Sequence, residues 1–491
     1  MAAYPPQPAR GPLLLWLYGA GMLLVASAFV WRYPLIPNAH ALADIGKLAK
    51  YQPAEFAGYL GGMAALWLLY FAALRESRRL AARHVVAAAF GWGAALAFAF
   101  VWLYPVSAID VFLYAVRSRL LTAYGENPIA IPFAAHPGDA WMPFATQYWA
   151  ARVSPYGPLW NLVGAPITAA SGADMPLALL GFKLLSALCV LAAGYVAMRT
   201  AHRGRHGQRA SSAALFFMWN PLVLWEGVGN AHNDTLVILL ILLALWAWEA
   251  RRDTLVLPLL VLATLLKYVA LPLLPLAAVA VWFRLPPRQR PRAALASAAL
   301  CAAAVALALF PFYDLAAIPR ALADQQALPY TSPTSLALAL LAPPHAPRQV
   351  EHWATLVGAA ALGLTVLWQM ARLRRSPQRL PRACFETLFV LILALASARG
   401  WYLIWLVGLA AALPGQWPRW RCHAWAMAAL ATYAFFIWVE AWWQPGYTRT
   451  QVVGTLIMLV PPLAITAAEI AYAAPNVFIR IMGPRAVSME K

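Results

Sequence analysis

Apolar runs of roughly 15 to 24 residues recur from one end of this chain to the other, separated by short blocks of arginine and lysine. A helix needs about 20 residues to cross the hydrocarbon core of a bilayer, and inside it every backbone N–H and C=O must be satisfied within the protein. A chain built this way folds as an all-α, polytopic integral membrane protein. Composition agrees, since 63% of the 491 residues are hydrophobic and only 11% are charged, too few to solvate the surface of a water-soluble domain. The first run, Pro12 to Val30, resembles a secretory signal in position, but it is long and is followed by many further spans, so it is read as a retained helix.

The net charge of +19 raises the question of nucleic acid. The basic residues, however, stand in short blocks between apolar runs rather than along one helix face, a pattern of membrane topology and not of DNA binding. Of the 37 Lys and Arg residues, 25 fall at the termini and in one set of alternate connections, including Arg75 to Arg83, Arg199 to Arg209, Arg251 and Arg252, Arg284 to Arg292, Arg372 to Arg382, and Arg419 and Arg421. The other connections hold 10, and Lys183 and Lys267 lie within spans. Because short cytoplasmic loops are enriched in Lys and Arg, both termini are expected in the cytoplasm, in the inner or plasma membrane of the cell.

The alternation is satisfied by about 14 crossings, near 12–30, 56–74, 85–104, 176–198, 212–228, 234–250, 254–267, 269–283, 293–312, 352–371, 384–397, 400–413, 424–443 and 449–472. Several are too short to cross unless they are broken or dip partway, which gives a range of roughly 12 to 14. The chain reads as one domain over residues 1–491, with the stretch 105–175 forming a large first extracytoplasmic loop that carries juxtamembrane helices. Cys189, Cys301, Cys384 and Cys422 have no metal-ligand spacing and are assigned no chemistry.

The residues able to do chemistry concentrate on the side away from the basic blocks. Asp110 opens Asp110-Val111-Phe112-Leu113-Tyr114, and on a helix running to about Ala123 it shares one face with Tyr114 and Arg117. That gives an interfacial helix presenting a carboxylate, a phenol and a guanidinium together, ended by Gly125 and Pro128. The plain alternative is that Asp110 ends a span and pairs with Arg117 or Arg119. Ser154-Pro155-Tyr156-Gly157-Pro158 fixes a tight turn that by itself suits an interfacial anchor. Asn230-Ala231-His232-Asn233-Asp234 sets four polar side chains between two apolar runs, costly unless they line a watery cavity or pair with one another. Helix capping by Asn233 or Asp234 explains one of them and leaves His232 unexplained. Lys267, within an apolar run, and Arg399, beside Trp401 and Tyr402, are cations suited to an anionic ligand, with snorkelling as the alternative, above all for Arg399. Glu226, Glu440 and Lys183 read as helix-end or intramembrane pairing residues.

There is no Walker motif, HExxH or GxSxG, and no Asp-x-Asp pair, so the signatures of an ATPase, a zinc protease, a serine hydrolase and a metal-dependent sugar-nucleotide transferase are missing. With the chemistry gathered on one face and no internal repeat visible, a transporter or flippase of lipid-linked glycans fits less well.

DVFLY at Asp110, the turn Gly125-Glu126-Asn127-Pro128, SPYGPLW at Ser154 and WNPLVLWEGVGNAHND from Trp219 to Asp234, with LLKYVALPLLPL from Leu265, together resemble the GT-C membrane mannosyltransferases that use polyprenyl-phosphate mannose. The bacterial α-1,6-mannosyltransferases are the branch most similar. The resemblance covers about residues 105 to 285 well and the rest only as a pattern of spans, and the two helices before residue 85 read as an addition or a shifted start relative to the family. Where the family often carries a tyrosine after the NP turn, this chain has Ile129. The resemblance implies a GT-C-like bundle and transfer of a single sugar from a polyprenyl phosphate to a glycan or glycolipid hydroxyl at the extracytoplasmic face. Asp110 would be the catalytic base, and Tyr114, Arg117, Tyr156, His232, Asn233, Asp234, Lys267, Arg399 and Tyr402 would be the groups around substrate and lipid phosphate. No metal or other cofactor is required by that chemistry. A whole-oligosaccharide ligase or polymerase shares the architecture and stays open beside it.

Overall fold

A computed structural model describes residues 11–204, 208–312, 314, 316–323, 330–342 and 346–482. Arg10, Arg205, Arg485 and Lys491 of the charge count lie outside the described residues, as do the side chains of Arg209, Arg320 and Arg480. The described residues are helical throughout, joined by turns and two isolated backbone bridges, with no strand among them.

Among the described residues, eight helices are long and apolar enough to cross a membrane: Leu13–Arg32, Pro53–Ser77, Ala82–Val101, Met175–Arg203, Pro287–Leu309, Pro347–Arg375, Trp417–Trp443 and Tyr447–Ala473. A bent pair, Val223–Gly229 with Asp234–Glu249, turned by 113° at the break, makes a ninth when counted as one span. The other expected spans are short pieces, Asp253–Leu266, Tyr268–Arg284, Leu380–Ala394 and Gly400–Ala412. A 14-residue helix such as Asp253–Leu266 reaches only about 21 Å, against a hydrocarbon core of about 30 Å. By length alone the expected 12 to 14 crossings thus reduce to eight or nine, with the short helices ending at breaks that carry polar residues.

Packing separates the helices into a core and a rim. In its apolar window Met175–Arg203 is 56% buried, whereas Pro347–Arg375 is 6% buried and presents Leu356, Leu364 and Leu367 outward, as a lipid-facing helix does. The basic connections gather at one end. Arg203 and Arg252 lie over the same Trp246 ring at 5.6 and 5.2 Å, Arg284 pairs with Asp253, and Arg382 and Arg421 share Glu386 and Glu469. The opposite ends of these helices carry Asp234, Lys267 and Arg399.

Between Val101 and Met175 the chain builds the wall of that second end. The helix Asp110–Tyr124 ends on Gly125, whose φ of +66° is the left-handed cap that glycine adopts without strain. Most of this helix is buried, Phe112, Tyr114 and Arg117 included, so it is sunk into protein rather than lying at a lipid interface. It is tied to the following loop through Asp139, which accepts hydrogen bonds from Tyr124 Oη (2.6 Å), Arg119 Nε (2.7 Å) and the Trp141 N–H (2.7 Å). Burial pushes the Asp139 carboxyl up, but those bonds pull harder and hold it below the usual carboxylate range. Ile129 fills a small apolar cluster with Ala317 and Ala321.

The turn before Pro158–Ser171 docks directly on the break after Leu266. The Gly157 N–H donates to the Leu266 carbonyl at 3.0 Å, and a Cβ on Gly157 would run into the Leu265 carbonyl oxygen. Only glycine allows this approach, which carries the adjoining Tyr156 into place. Gly157→Ala is therefore expected to lower both thermal stability in detergent and activity, the backbone carbonyl it meets being unable to give way. Asp139→Asn is expected to cost about 3 kcal/mol of stability, the size for breaking a buried pair. A carboxyl held low in the fold stabilises above its unfolded pKa and loses that contribution as pH falls through its folded value. The gap between wild type and Asp139→Asn should then close below about pH 4, as read by melting temperature across pH.

Candidate active site

The site begins at the bend between Gly229 and Asp234. A helix that stops inside a membrane leaves its last carbonyls without partners. Lys183, fully buried on Met175–Arg203, supplies them: its Nζ donates to the Val228 carbonyl at 3.0 Å and to that of Gly229. Ser186 Oγ donates to the Gly227 carbonyl at 2.5 Å and meets Thr235 Oγ1 at 2.9 Å. Lys183 thus pairs with backbone rather than with a carboxylate. The bend also puts Ala231 at φ +55°, a left-handed conformation that a residue with a Cβ adopts only under constraint.

Glu226 is the buried carboxylate of this bend. It accepts from Asn230 Nδ2 at 2.9 Å and pairs with His232 Nε2 at 3.3 Å, while Asn230 also donates to Ser107 Oγ at 2.7 Å. The His232 ring stacks on Trp401 with centroids 4.1 Å apart. Asn233 makes no side-chain cap, and both atoms of its buried amide lack hydrogen-bond partners, so the capping alternative does not account for it. Asp234 is engaged by Lys267, whose Nζ lies 2.9 Å from both carboxylate oxygens. Lys267 sits in extended backbone between two helices, with the rings of Tyr402 and Trp405 at 4.8 and 5.4 Å from its ammonium.

Asp110 stands at the first turn of its helix, partly exposed. Tyr156 Oη donates to its Oδ1 at 3.0 Å, and no described residue donates to the other oxygen. Burial pushes the Tyr156 phenol well up, and the Asp110 charge pushes it further, so it stays protonated and remains a donor. The shared face of Asp110, Tyr114 and Arg117 is realised through this one tyrosine. The Tyr114 ring meets Tyr156 edge-on at 5.0 Å, and the Arg117 guanidinium lies 5.6 Å from the Tyr156 ring and 5.7 Å from that of Trp149. Tyr114 Oη in turn accepts from the Asn233 N–H at 3.4 Å, joining this helix to the bend. Arg119 is taken by Asp139, so it is not the partner of Asp110.

Two cations are left over. Arg117 is buried, and its two terminal nitrogens have no hydrogen-bond partner. Arg399 lies over the Tyr330 ring at 4.0 Å and near Trp401 at 5.8 Å, with no carboxylate paired to it among the described residues. The arrangement is a carboxylate with one oxygen to which no described residue donates, an Arg117 guanidinium behind Tyr156 and an Arg399 guanidinium near Trp401, neither held in an ion pair among the described residues, with the half-buried rings of Trp401 and Tyr402 between the elements. It can accept a proton at Asp110 and hold an anion nearby. All ten residues expected at a site are linked by contacts into one cluster. Ser107 and Tyr330 also take part, and neither carries any pattern that marks it in sequence. Glu226 and Trp401 are visible there, but their pairing with His232 depends on a bend that spacing does not reveal.

Residues 13–284, over half of the chain, match the family described as alpha-(1->6)-mannopyranosyltransferase, N-terminal domain. The match begins at residue 13, so the helices Leu13–Arg32 and Pro53–Ser77 belong to the family's domain and are not an addition to it. Alpha-(1->6)-mannopyranosyltransferase A of Mycobacterium tuberculosis is 26% identical over 396 residues, 76% of this chain and 72% of that one. The A protein of Corynebacterium glutamicum is 26% identical over 171 residues, so the match spans 35% of this chain and about a third, 34%, of that protein's length. The B protein of the same organism is 26% identical over 147 residues, 29% of this chain and 23% of the relative. This helical bundle, with its carboxylate and arginines gathered at the end of broken helices, belongs to the alpha-(1->6)-mannopyranosyltransferase family.

Proposed function

We propose that the chain transfers one mannosyl residue from a polyprenyl-phosphate donor to a hydroxyl of a glycan or glycolipid, at the extracytoplasmic face of the membrane. The observation that carries this reading is the Asp110 carboxylate, oriented by Tyr156 and joined through the site's aromatic rings to Arg117 and Arg399, neither of which forms an ion pair among the described residues. The family gives the sugar and the transfer; the site supplies the means.

In this mechanism the free oxygen of Asp110 takes the proton of the acceptor hydroxyl as that oxygen attacks the anomeric carbon. The new C–O bond forms on the face opposite the departing lipid phosphate, so configuration inverts. The bond between the anomeric carbon and the phosphate oxygen breaks, and its electron pair leaves on the phosphate. The phosphate gains a negative charge in that step, and Arg399 and Arg117 are the groups to stabilise it, with Arg399 suited to bidentate contact. Lys267 and His232 are already paired with Asp234 and Glu226, so their part is to hold the floor of the site and its aromatic wall. The crowding of basic residues at the opposite end supports the outward orientation of this end.

Asp110→Asn should reduce mannosyl transfer in membranes by about 10²- to 10⁴-fold, the usual weight of a general base, without loss of folded protein. Near wild-type transfer by the folded variant would remove Asp110 from the mechanism. Arg399→Gln should lower kcat/KM for the lipid donor by roughly 10²-fold, and Arg399→Lys should restore only part of it because an ammonium cannot make the two parallel bonds. A panel of polyprenyl-phosphate sugars offered to the same membranes checks the donor, mannose being the sugar expected to be transferred, one residue at a time.

A further inference from the structure

At the basic end, far from Asp110, the helices Leu273–Arg284 and Pro347–Arg375 and the turn after them border an open hollow of about 770 Å³. Its lining includes Arg372, Arg374, Arg375 and Arg379 together with the rings of Phe283 and Trp368, and no acidic side chain. Nearby arginines are neutralised: Arg284 by Asp253, and Arg382 and Arg421 by Glu386 and Glu469. The four in the hollow have no ion pair among the described residues. Arg372 lies over the Trp368 ring at 4.5 Å and Arg374 over that of Phe283 at 5.4 Å, so aromatic faces hold two of the guanidiniums at the wall.

Four like charges around one concavity repel one another unless an anion lies between them, and guanidinium matches phosphate in geometry as well as charge. Topology alone asks for basic residues at this end but not for a concave, carboxylate-free cluster of them. The hollow also continues onto a greasy surface. Trp368 is 55% exposed, and below it on the same rim helix Leu364, Leu367 and Val357 are 68%, 64% and 68% exposed. A ligand that fits both parts carries phosphate at one end and hydrocarbon chains at the other.

We propose that this hollow binds the headgroup of an anionic membrane phospholipid, its phosphate among Arg372, Arg374, Arg375 and Arg379 and its acyl chains along Pro347–Arg375. The site is separate from the one that handles the donor, and it would hold a structural or regulatory lipid at the opposite leaflet. Basic pockets between spans recognise lipid phosphates through this chemistry.

The test uses the full chain purified in detergent and returned to nanodiscs of phosphatidylcholine alone or with added phosphatidylglycerol or cardiolipin. Native mass spectrometry should show anionic lipid retained on the wild type. The triple variant Arg374→Gln, Arg375→Gln, Arg379→Gln should bind it roughly a hundredfold more weakly. Equal retention by a folded triple variant overturns the assignment. Hydrogen exchange on the wild type serves where the variant does not fold: anionic lipid should protect the backbone around residues 372–379, and no protection there overturns the assignment equally. Inorganic pyrophosphate is the third arm. Failure of millimolar pyrophosphate to protect that segment supports a lipid, whereas protection matching that of cardiolipin would make a soluble phosphate the ligand.

Discussion

The structure depends on how polar groups are paired where helices stop inside the membrane. The break between Gly229 and Asp234 frees backbone carbonyls and introduces Asn230, His232, Asn233 and Asp234 at a depth where each unpaired group would cost several kcal/mol. Lys183 and Ser186 take the carbonyls, Glu226 takes Asn230 and His232, and Lys267 takes Asp234. Lys183 and Ser186 come from Met175–Arg203 and Lys267 from the end of Asp253–Leu266, so the bend cannot form until those helices have packed against it. Removing one member leaves the other buried and unmatched, which is why these residues stabilise chiefly as a set. The groups that this network leaves unmatched among the described residues include one oxygen of Asp110, the terminal nitrogens of Arg117 and the amide of Asn233, and the proposed mechanism draws on the carboxylate and the arginines.

Much of this is legible in the order of amino acids. Apolar runs specify the fold class, and alternation of basic blocks places Asp110, Tyr156, His232 and Lys267 at one end of the bundle, where their contacts join them. Those inferences rest on solvation, which acts on each residue singly and so is written locally in sequence. What is not legible depends on three-dimensional closure. Nothing in the spacing says that Lys183 caps a helix 45 residues further on, or that Ser107 holds Asn230 across 123 residues. The burial of Asp110–Tyr124 is hidden for the same reason. Helical spacing puts Val111, Phe112, Val116 and Leu120 on faces other than that of Asp110, but whether lipid or protein covers them is decided by distant segments such as Phe144 and Pro158–Ser171.

Helix length links the fold to the proposed chemistry. The pieces that end at the site have 14 to 16 residues, about 21 to 24 Å, while Met175–Arg203 beside them has 29, about 43 Å. Lys183, which touches the floor of the site at Gly229, lies eight residues into that long helix. The floor is therefore set back by about 12 Å from its end, at 1.5 Å per residue. The segment from Asp110 to Ser171 fills the rise around it and forms a wall rather than a surface loop, and Gly157 fastens that wall to the floor at Leu266. A recess of this kind lowers the local dielectric around Asp110, Arg117 and Arg399, so each charge interaction there is stronger than at an open surface. A donor carried on a lipid could then present its phosphate to the arginines without leaving the membrane, while the acceptor hydroxyl approached Asp110 from the aqueous side.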